Sequence, residues 1–200
     1  MEGKSRRPGG RSARVRSAVV RAFVDMIVET GYSQLTFEAL ADRAGVHKTT
    51  LYRRWGTREN LLLDAALDGA GDAVPVPHTG SLEGDLRQLG QQVADYLRFP
   101  AAQAMLRVVI AEAMTEPKLA AVVRQFWTAR FASMGEIIRR AAARGEVIPN
   151  IDENLLLETL VGAIYLRVLV RQEPAEPELI ANVSHLVALG ARAVDGTPAA

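Results

Sequence analysis

Two short helical patterns joined by a glycine turn constrain this chain more than any other feature. Residues 36–55 read TFEALADRAGVHKTTLYRRW, with an Ala-Gly-Val turn at 44–46. Before the turn, apolar residues recur at the spacing of one helix face, and a second helical run extends from about 47 to 54. The hydroxyl of Thr36 can cap the first run. The pattern predicts a helix-turn-helix, in which the turn redirects the second helix.

The second run is crowded with hydrogen-bond donors. In a helix-turn-helix the first helix crosses the phosphate backbone, and the second enters the major groove with its N-terminal end. Lysine can donate to guanine, a threonine methyl can contact thymine, and the first turn of a helix can bind phosphate. The candidate contacts are His47, Lys48, Thr49 and Thr50 to bases, Tyr52 and Arg53 to phosphate or flanking bases, and Thr36, Thr57 and Arg58 to phosphate. The alternative is a solvated helical hairpin with surface Arg and Lys.

The charge distribution is asymmetric although the whole chain carries a net charge of +1. Residues 1–60 contain 12 Lys and Arg against 6 Asp and Glu, and the remaining residues carry a net charge of −5. A basic first third indicates that one end meets a polyanion, although clustered solvated charge would look the same. Residues 1–12 are rich in Gly, Pro, Ser and Arg and are expected to form a flexible basic arm. Its predicted phosphate or minor-groove contacts are Lys4, Arg6, Arg7, Arg11 and, just beyond it, Arg14.

The rest of the pattern is helical, because no window alternates with period 2 for long enough to indicate a strand. The predicted fold class is all-α, with a helix-turn-helix domain over 13–67, a loop over 68–80 and a helical domain over 81–200. A fourth helix is expected from Arg58 to about Leu67. The later helices are expected over 82–98, 101–114, 117–144, 152–171 and 176–194, separated by Pro and Gly positions.

Residues 36–67 closely resemble the DNA-binding domain of the TetR family of transcriptional regulators. The likeness rests on the Ala-Gly-Val turn, the Thr-Leu-Tyr at 50–52, the aromatic Trp55 and the Arg-Glu-Asn-Leu at 58–61. Departures are His47, where the family often has Ser, and the Arg pair at 53–54. The resemblance implies a homodimeric, ligand-responsive repressor that binds a palindromic operator. Two recognition helices about one DNA turn apart (~34 Å), or a multiple of it, would read that palindrome.

A dimer surface is expected on the last two helical segments. Residues 155–170 are apolar nearly all round, so a helix there must be buried on more than one side. The resemblance implies that two helices from each subunit form a four-helix bundle, whereas the alternative is ordinary internal core. The candidate interface residues are Leu156, Leu160, Ile164, Val183, Leu186 and Val187.

A ligand pocket is expected among the helices between residues 82 and 144. Aromatic and methionine side chains with one or two arginines would suit a hydrophobic effector that has an anionic or hydroxyl end. Ordinary core packing, with each arginine reaching solvent, is the alternative. The candidates are Leu97, Phe99, Met105, Arg107, Phe126, Trp127, Arg130 and Met134. For Arg167 the sequence leaves two roles open, one at the subunit interface and one in the ligand pocket.

Other classes of function find little support in the sequence. The chain has no cysteine, and its three histidines show no metal-ligand spacing, so we expect neither a metal nor another cofactor. No nucleophile or nucleotide-binding motif indicates an enzyme, and the alternative left open is a helical enzyme whose site forms from residues distant in the sequence. No apolar run is long enough to span a bilayer, which favours a cytoplasmic protein. An architectural protein that coats DNA without sequence preference is the other binding alternative, but it has no use for five further helices.

Overall fold

The computed structural model describes residues 10–192, which form helices and turns with no strand in that range. Two π-helical stretches, Val108–Glu112 and Leu166–Val170, directly follow α6 and α9. The all-α class predicted from the sequence is confirmed. None of the helices in this range is long and apolar enough to cross a membrane. The helices are α1 (Arg11–Thr30), α2 (Phe37–Ala44), α3 (Lys48–Arg54), α4 (Arg58–Ala73), α5 (Leu82–Tyr96), α6 (Pro100–Arg107), α7 (Pro117–Met134), α8 (Glu136–Ala143), α9 (Glu153–Tyr165) and α10 (Pro177–Ala191).

Two helix ends differ from the sequence-based prediction. Helix α4 continues to Ala73, so the expected loop at 68–80 begins with helix. Glycines inside a helix cost only about 1 kcal/mol each, so Gly69 and Gly71 do not end it, and the chain leaves the helix just before Pro75. The expected single helix over 117–144 is divided at Gly135. A Cβ at Gly135 would lie 2.5 Å from Glu153 Oε2 and 3.1 Å from the Phe131 carbonyl oxygen, which explains why a glycine fits there.

The first compact unit comprises α1–α3, most of α4 and residues 104–123. The sequence places 104–123 in the regulatory domain, whereas Met105, Val108 and Leu119 belong to the core of this unit. Apolar residues at helical spacing on α1 supply one wall, because they fall on one side of the helix. The fully buried large side chains are Phe23, Leu35, Leu40, Leu51, Leu61, Leu62 and Leu119.

The second compact unit comprises residues 67–103 and the described residues from 124 onward. Its centre is α5, which packs against α8, α9 and α10. Gly90 allows the close approach, because a Cβ there would lie 2.8 Å from Ile180 Cγ2 and 3.5 Å from Ile164 Cδ1. The core around this crossing consists of the buried residues Leu82, Leu86, Leu89, Ile137, Leu157, Leu160, Ile164, Ile180 and Ala188.

Candidate nucleic-acid interface

The turn between α2 and α3 has the capped geometry that the sequence predicts. Thr36 has extended backbone angles, and its hydroxyl oxygen accepts from the Ala39 N–H at 3.2 Å. Gly45 ends α2 in the left-handed conformation, with φ 66° and ψ 36°. The Val46 N–H then donates to the Ala41 carbonyl at 3.0 Å. A residue with a Cβ is strained at this φ, so the glycine fixes the direction in which α3 leaves.

Helix α3 divides its side chains between the core and the surface. Leu51 is completely buried and Trp55, just beyond the helix, is 6% exposed. Lys48 and Thr49 are exposed at the start of the helix, as is His47 before it. The helix therefore anchors one side in the core and presents its N-terminal donors outward. Thr50, a predicted base contact, is half-buried. Tyr52 and Arg53, predicted to contact phosphate or flanking bases, are exposed.

An ion-pair network that sequence reasoning missed holds α3 in place. Asp64 Oδ2 accepts from Trp55 Nε1 at 2.9 Å and from Arg16 Nε at 3.0 Å, and Asp64 Oδ1 accepts from Arg16 Nη2 at 2.9 Å. Burial alone would raise the pKa of Asp64, but the hydrogen bonds from Arg16 and Trp55 lower it below its usual value. One carboxylate thus joins α1, α4 and the end of α3. Asp64 and Arg16 lie 48 positions apart, so no local sequence pattern indicated this ion pair.

A surface cleft brings four of the predicted DNA contacts together. Thr36, Tyr52, Thr57 and Arg58 line it, and its volume is about 360 Å³. The ring of Tyr52 meets Phe37 edge-on with centroids 5.0 Å apart. Two helix N-termini open at this cleft, and their first N–H groups lack partners within the helix. The cleft therefore combines backbone donors with a phenol hydroxyl, a set that suits a phosphate oxygen.

The arginine of the cleft has a different geometry from the one expected of a phosphate contact. Arg58 Nη1 donates to the carbonyl oxygens of Leu35 at 2.5 Å and Tyr32 at 3.3 Å. The guanidinium also lies 5.0 Å from the centroid of the Tyr32 ring. These contacts tie the start of α4 to the segment between α1 and α2. The first turn of α4 remains available to phosphate at this position through its backbone N–H groups. The Thr57 hydroxyl accepts from one of them, the Asn60 N–H, at 3.2 Å.

Charged residues lie at both ends of the recognition helix α3. Lys48 Nζ lies 3.9 Å from Glu38 Oε1, and both side chains are mostly exposed. Exposed pairs of this kind contribute little to stability, so the ammonium can exchange its partner at low cost. Arg54, which is not among the predicted DNA contacts, is exposed, lies 5.3 Å from the Trp55 ring centroid and donates to Ser12 Oγ at 3.1 Å.

The predicted basic arm is described only at its end. Lys4, Arg6 and Arg7 lie outside the described residues. Helix α1 begins at Arg11, two residues before the predicted start. Arg14 is exposed on α1. Within residues 10–192, no group of three or more His, Asp or Glu side chains is arranged to hold a metal ion.

The structure distributes the predicted effector residues over both units. Met105 and Arg107 belong to the first unit, where Met105 is buried and Arg107 is exposed. In the second unit, Leu97, Arg130 and Met134 are buried, Phe126 and Trp127 are half-buried, and Phe99 is 61% exposed. Arg167 forms an ion pair with Glu173 at 3.2 Å.

The predicted dimer residues fall mainly in the core of a single subunit. Leu156, Leu160, Ile164 and Val187 are at most 8% exposed, because they face α5 and the α9–α10 contact. Side chains buried within one chain cannot form its outer surface. Leu186 is 66% exposed and Val183 is half-buried, so these two remain available to a partner.

The structure contains a capped helix pair that presents donors on one side, and a second unit whose described elements are all helices. These features define a DNA-binding protein of the helix-turn-helix class. The model of the bacterial regulatory proteins of the tetR family matches residues 20–65. The model of the tetracyclin repressor-like C-terminal domain matches residues 76–187.

Individual relatives agree with the family models. The HTH-type transcriptional regulator AqdR of Rhodococcus erythropolis is 35% identical over 158 residues, which is 79% of this chain and 76% of that protein. The uncharacterized HTH-type transcriptional regulator YdeS of Bacillus subtilis is 25% identical over 198 residues, or 98% of each chain. The crystal structure of the TetR family transcription regulator SCO0332 superposes with a TM-score of 0.73 at 32% identity, over 88% of this chain and 98% of that one.

The chain belongs to the TetR family of transcriptional regulators. It is therefore a DNA-binding regulator and not an enzyme. Regulators of this family bind DNA as dimers and carry an effector-binding C-terminal domain.

Proposed function

We propose that this protein is a cytoplasmic, ligand-responsive repressor that binds a palindromic operator as a homodimer. The observation that supports it most is the division of α3, which buries Leu51 and exposes Lys48 and Thr49. A helix anchored in this way can present donors to base edges at a fixed angle. Repression follows when the occupied operator overlaps a promoter. Activation is the alternative outcome for the same DNA contact.

On this proposal the residues of the interface have separate roles. His47, Lys48, Thr49 and Thr50 face the bases, because the N-terminal part of a recognition helix lies deepest in the groove. Phosphate contacts hold the orientation of the helix and carry no sequence information. The residues proposed for them are Thr36, Tyr52, Arg53, Thr57 and Arg58, the last through its backbone N–H.

The dimer is proposed to form through an exposed apolar stripe on α9 and α10. Leu155 is 59% exposed, Leu166 is 54% exposed, and both point to the same side as Gly162 because they are spaced at helical intervals. Leu186 and Leu189 of the adjacent helix are 66% and 46% exposed. A Cβ at Gly162 would meet no atom within 4 Å, so this stripe has a low point at which a second helix can approach. Exposed apolar surface of this kind marks an interaction face.

The effector is proposed to bind in the second unit and to change operator affinity. A ligand can release DNA only when it binds the released conformation more tightly than the bound one. Helix α4 is one continuous helix from Arg58 to Ala73, and its two ends belong to different units. Helices α6 and α7 also have residues in both units, and we propose α4 as the element through which an effector acts, because it continues directly from the start of the DNA-binding unit's last helix.

The test is a selection of random DNA duplexes by the purified protein, followed by sequencing of the retained molecules. A palindromic motif is the expected result, and Lys48→Ala should then weaken binding to that motif by about 1–3 kcal/mol while changing binding to random duplex much less. Retention without any motif would contradict the operator proposal and favour an architectural protein. Equal loss on both kinds of DNA would reassign Lys48 to a phosphate.

A further inference from the structure

An arginine in the interior of the second unit lacks a counter-ion. Arg130 on α7 is 9% exposed. Its guanidinium donates one hydrogen bond, from Nη2 to the Val74 carbonyl oxygen at 3.0 Å. Among the side chains that the structure describes, no carboxylate forms an ion pair with it. A buried cation without a compensating anion is costly, because it has lost its hydration and gained no opposite charge.

Two half-buried tyrosines, Tyr96 and Tyr165, lie near Arg130 but supply no negative charge. Burial raises the pKa of Tyr165 well above its usual range, and burial also raises the pKa of Tyr96. Both are therefore neutral phenols at neutral pH. Burial lowers the pKa of Arg130, but an arginine stays charged even so. The site consequently contains a permanent cation and two hydroxyl groups that can donate or accept.

The free donors of Arg130 border accessible space. Within the described residues, the polar side-chain atoms that are fully sealed and unpaired are Asp85 Oδ2, Gln92 Oε1 and Ser184 Oγ. The guanidinium nitrogens are not among them, although only one of them has a protein partner. The remaining N–H groups can thus reach an incoming molecule, and a guanidinium is shaped to bind both oxygens of a carboxylate.

Three aromatic residues lie on the same helix as this cation, and Tyr165 at the end of α9 adds a fourth ring. Trp127 lies three residues before Arg130 and Phe131 one residue after it. The ring of Trp127 lies 5.1 Å from Phe126, 5.4 Å from Phe131 and 5.8 Å from Tyr165 between centroids. All four rings are half-buried, so part of each is uncovered. Uncovered aromatic faces attract a flat apolar ligand, because ring pairs at these distances are favourable.

We propose that the second unit binds an aromatic carboxylate, with the carboxylate on Arg130 and the ring against Trp127 and its aromatic neighbours. This inference rests on the proposed effector role of the unit and narrows the effector to a chemical class. The same guanidinium binds the carbonyl of Val74, the residue that directly follows α4. A carboxylate on the remaining N–H groups would share the guanidinium with that carbonyl, so the ligand would act on a side chain that also holds the C-terminal end of α4.

The test is calorimetric titration of the full chain, without DNA, with two carboxylates and their amides: benzoate against benzamide, and 2-naphthoate against 2-naphthamide. The wild-type protein is expected to bind one of the carboxylates at least about tenfold more tightly than its amide, because only the carboxylate neutralises the arginine. Arg130→Met should abolish that preference. Arg124→Gln, which changes an exposed arginine of the same helix, should retain it.

Several results would overturn the inference. They are equal affinity for acid and amide, no binding of either carboxylate, or an unchanged preference in Arg130→Met. Arg130→Lys provides a second variant that keeps the charge but loses the planar fork, so it should keep the preference for the acid at lower affinity. Loss of that preference in Arg130→Lys would also contradict the inference. Since no DNA is present, failure here is distinct from failure to select an operator, which would count against the proposed function alone.

Discussion

The two compact units differ in how a charged side chain is paired in their interior. In the first unit Asp64 is paired with Arg16 and accepts a hydrogen bond from the Trp55 indole N–H, so one carboxylate joins its own helix to two other segments. In the second unit Arg130 is more deeply buried and has a single backbone carbonyl as partner. A scaffold that must hold a recognition helix gains from closed polar networks, whereas a sensor gains from a charge that only a ligand can neutralise.

The largest expected effect contrasts the two tryptophans. Trp55→Ala should lower the free energy of unfolding by about 3–5 kcal/mol, because it removes a buried ring and leaves Asp64 short of a donor. Trp127→Ala should cost less than half as much, because that ring is half-buried. Urea denaturation followed by circular dichroism measures both. Equal losses would remove the contrast between a closed core and an open aromatic site.

The second prediction concerns whether the helices of the second unit are closely packed away from Arg130. Gly90→Val should destabilise the protein by about 1–3 kcal/mol, because its side chain would overlap Ile180. Gly71→Val is the control, since a Cβ at Gly71 meets no atom within 4 Å. The same urea titration measures the difference between the two variants. If Gly90→Val costs no more than Gly71→Val, the helix crossing at α5 is not close-packed.

The third prediction uses pH to measure the closed network. The folded state lowers the pKa of Asp64 below its usual value of 3.8, so the ionised carboxylate stabilises the fold above that pH. Asp64→Asn should therefore lose roughly 1 kcal/mol near neutral pH, a figure that allows for solvent screening of a partly exposed pair. The difference from wild type should shrink as the pH falls through the folded pKa. Asp42→Asn, at an exposed carboxylate of α2, is the control variant.

The smallest expected effect is at Arg130 itself. Arg130→Met in the absence of ligand should leave the free energy of unfolding within about 0.5 kcal/mol of wild type or raise it. The lost hydrogen bond to Val74 is offset by removal of a buried charge that has no counter-ion. Thermal and urea unfolding measure the change. A loss of about 3 kcal/mol or more, the size seen when a buried pair is broken, would show that the protein already compensates this charge.

The recognition half was predictable from sequence because its signals are local. Thr36 and Gly45 fix the two ends of α2 by hydrogen bonds and backbone conformation within a few residues. The hydrogen-bond donors of α3 come directly after this turn in the sequence, so their exposure at the surface could be predicted. The Asp64 network joins residues 48 positions apart, and no local pattern indicates such a pair.

The second half was less predictable for a definite physical reason. A helix that is apolar nearly all round carries no polar face to show which side meets its own core. The sequence therefore singled out Leu160 and Ile164 for the dimer, although both are fully buried in one chain, and passed over Leu155 and Leu166. Burial of Arg130 depends on the helices packed around α7, so the sequence could not separate it from Arg107.

Leu186→Arg tests most directly whether dimerisation and DNA recognition reside in different units. The change lies on the exposed apolar stripe of α9 and α10, far in sequence from the recognition helix. Binding of this variant and of wild type would be measured on the selected palindrome and on one isolated half-site. The variant should lose at least about tenfold in affinity for the palindrome while matching wild type on the half-site, because pairing and recognition reside in different units. Wild-type affinity for the palindrome would contradict pairing through this stripe, and loss on the half-site would contradict the separation of the two functions.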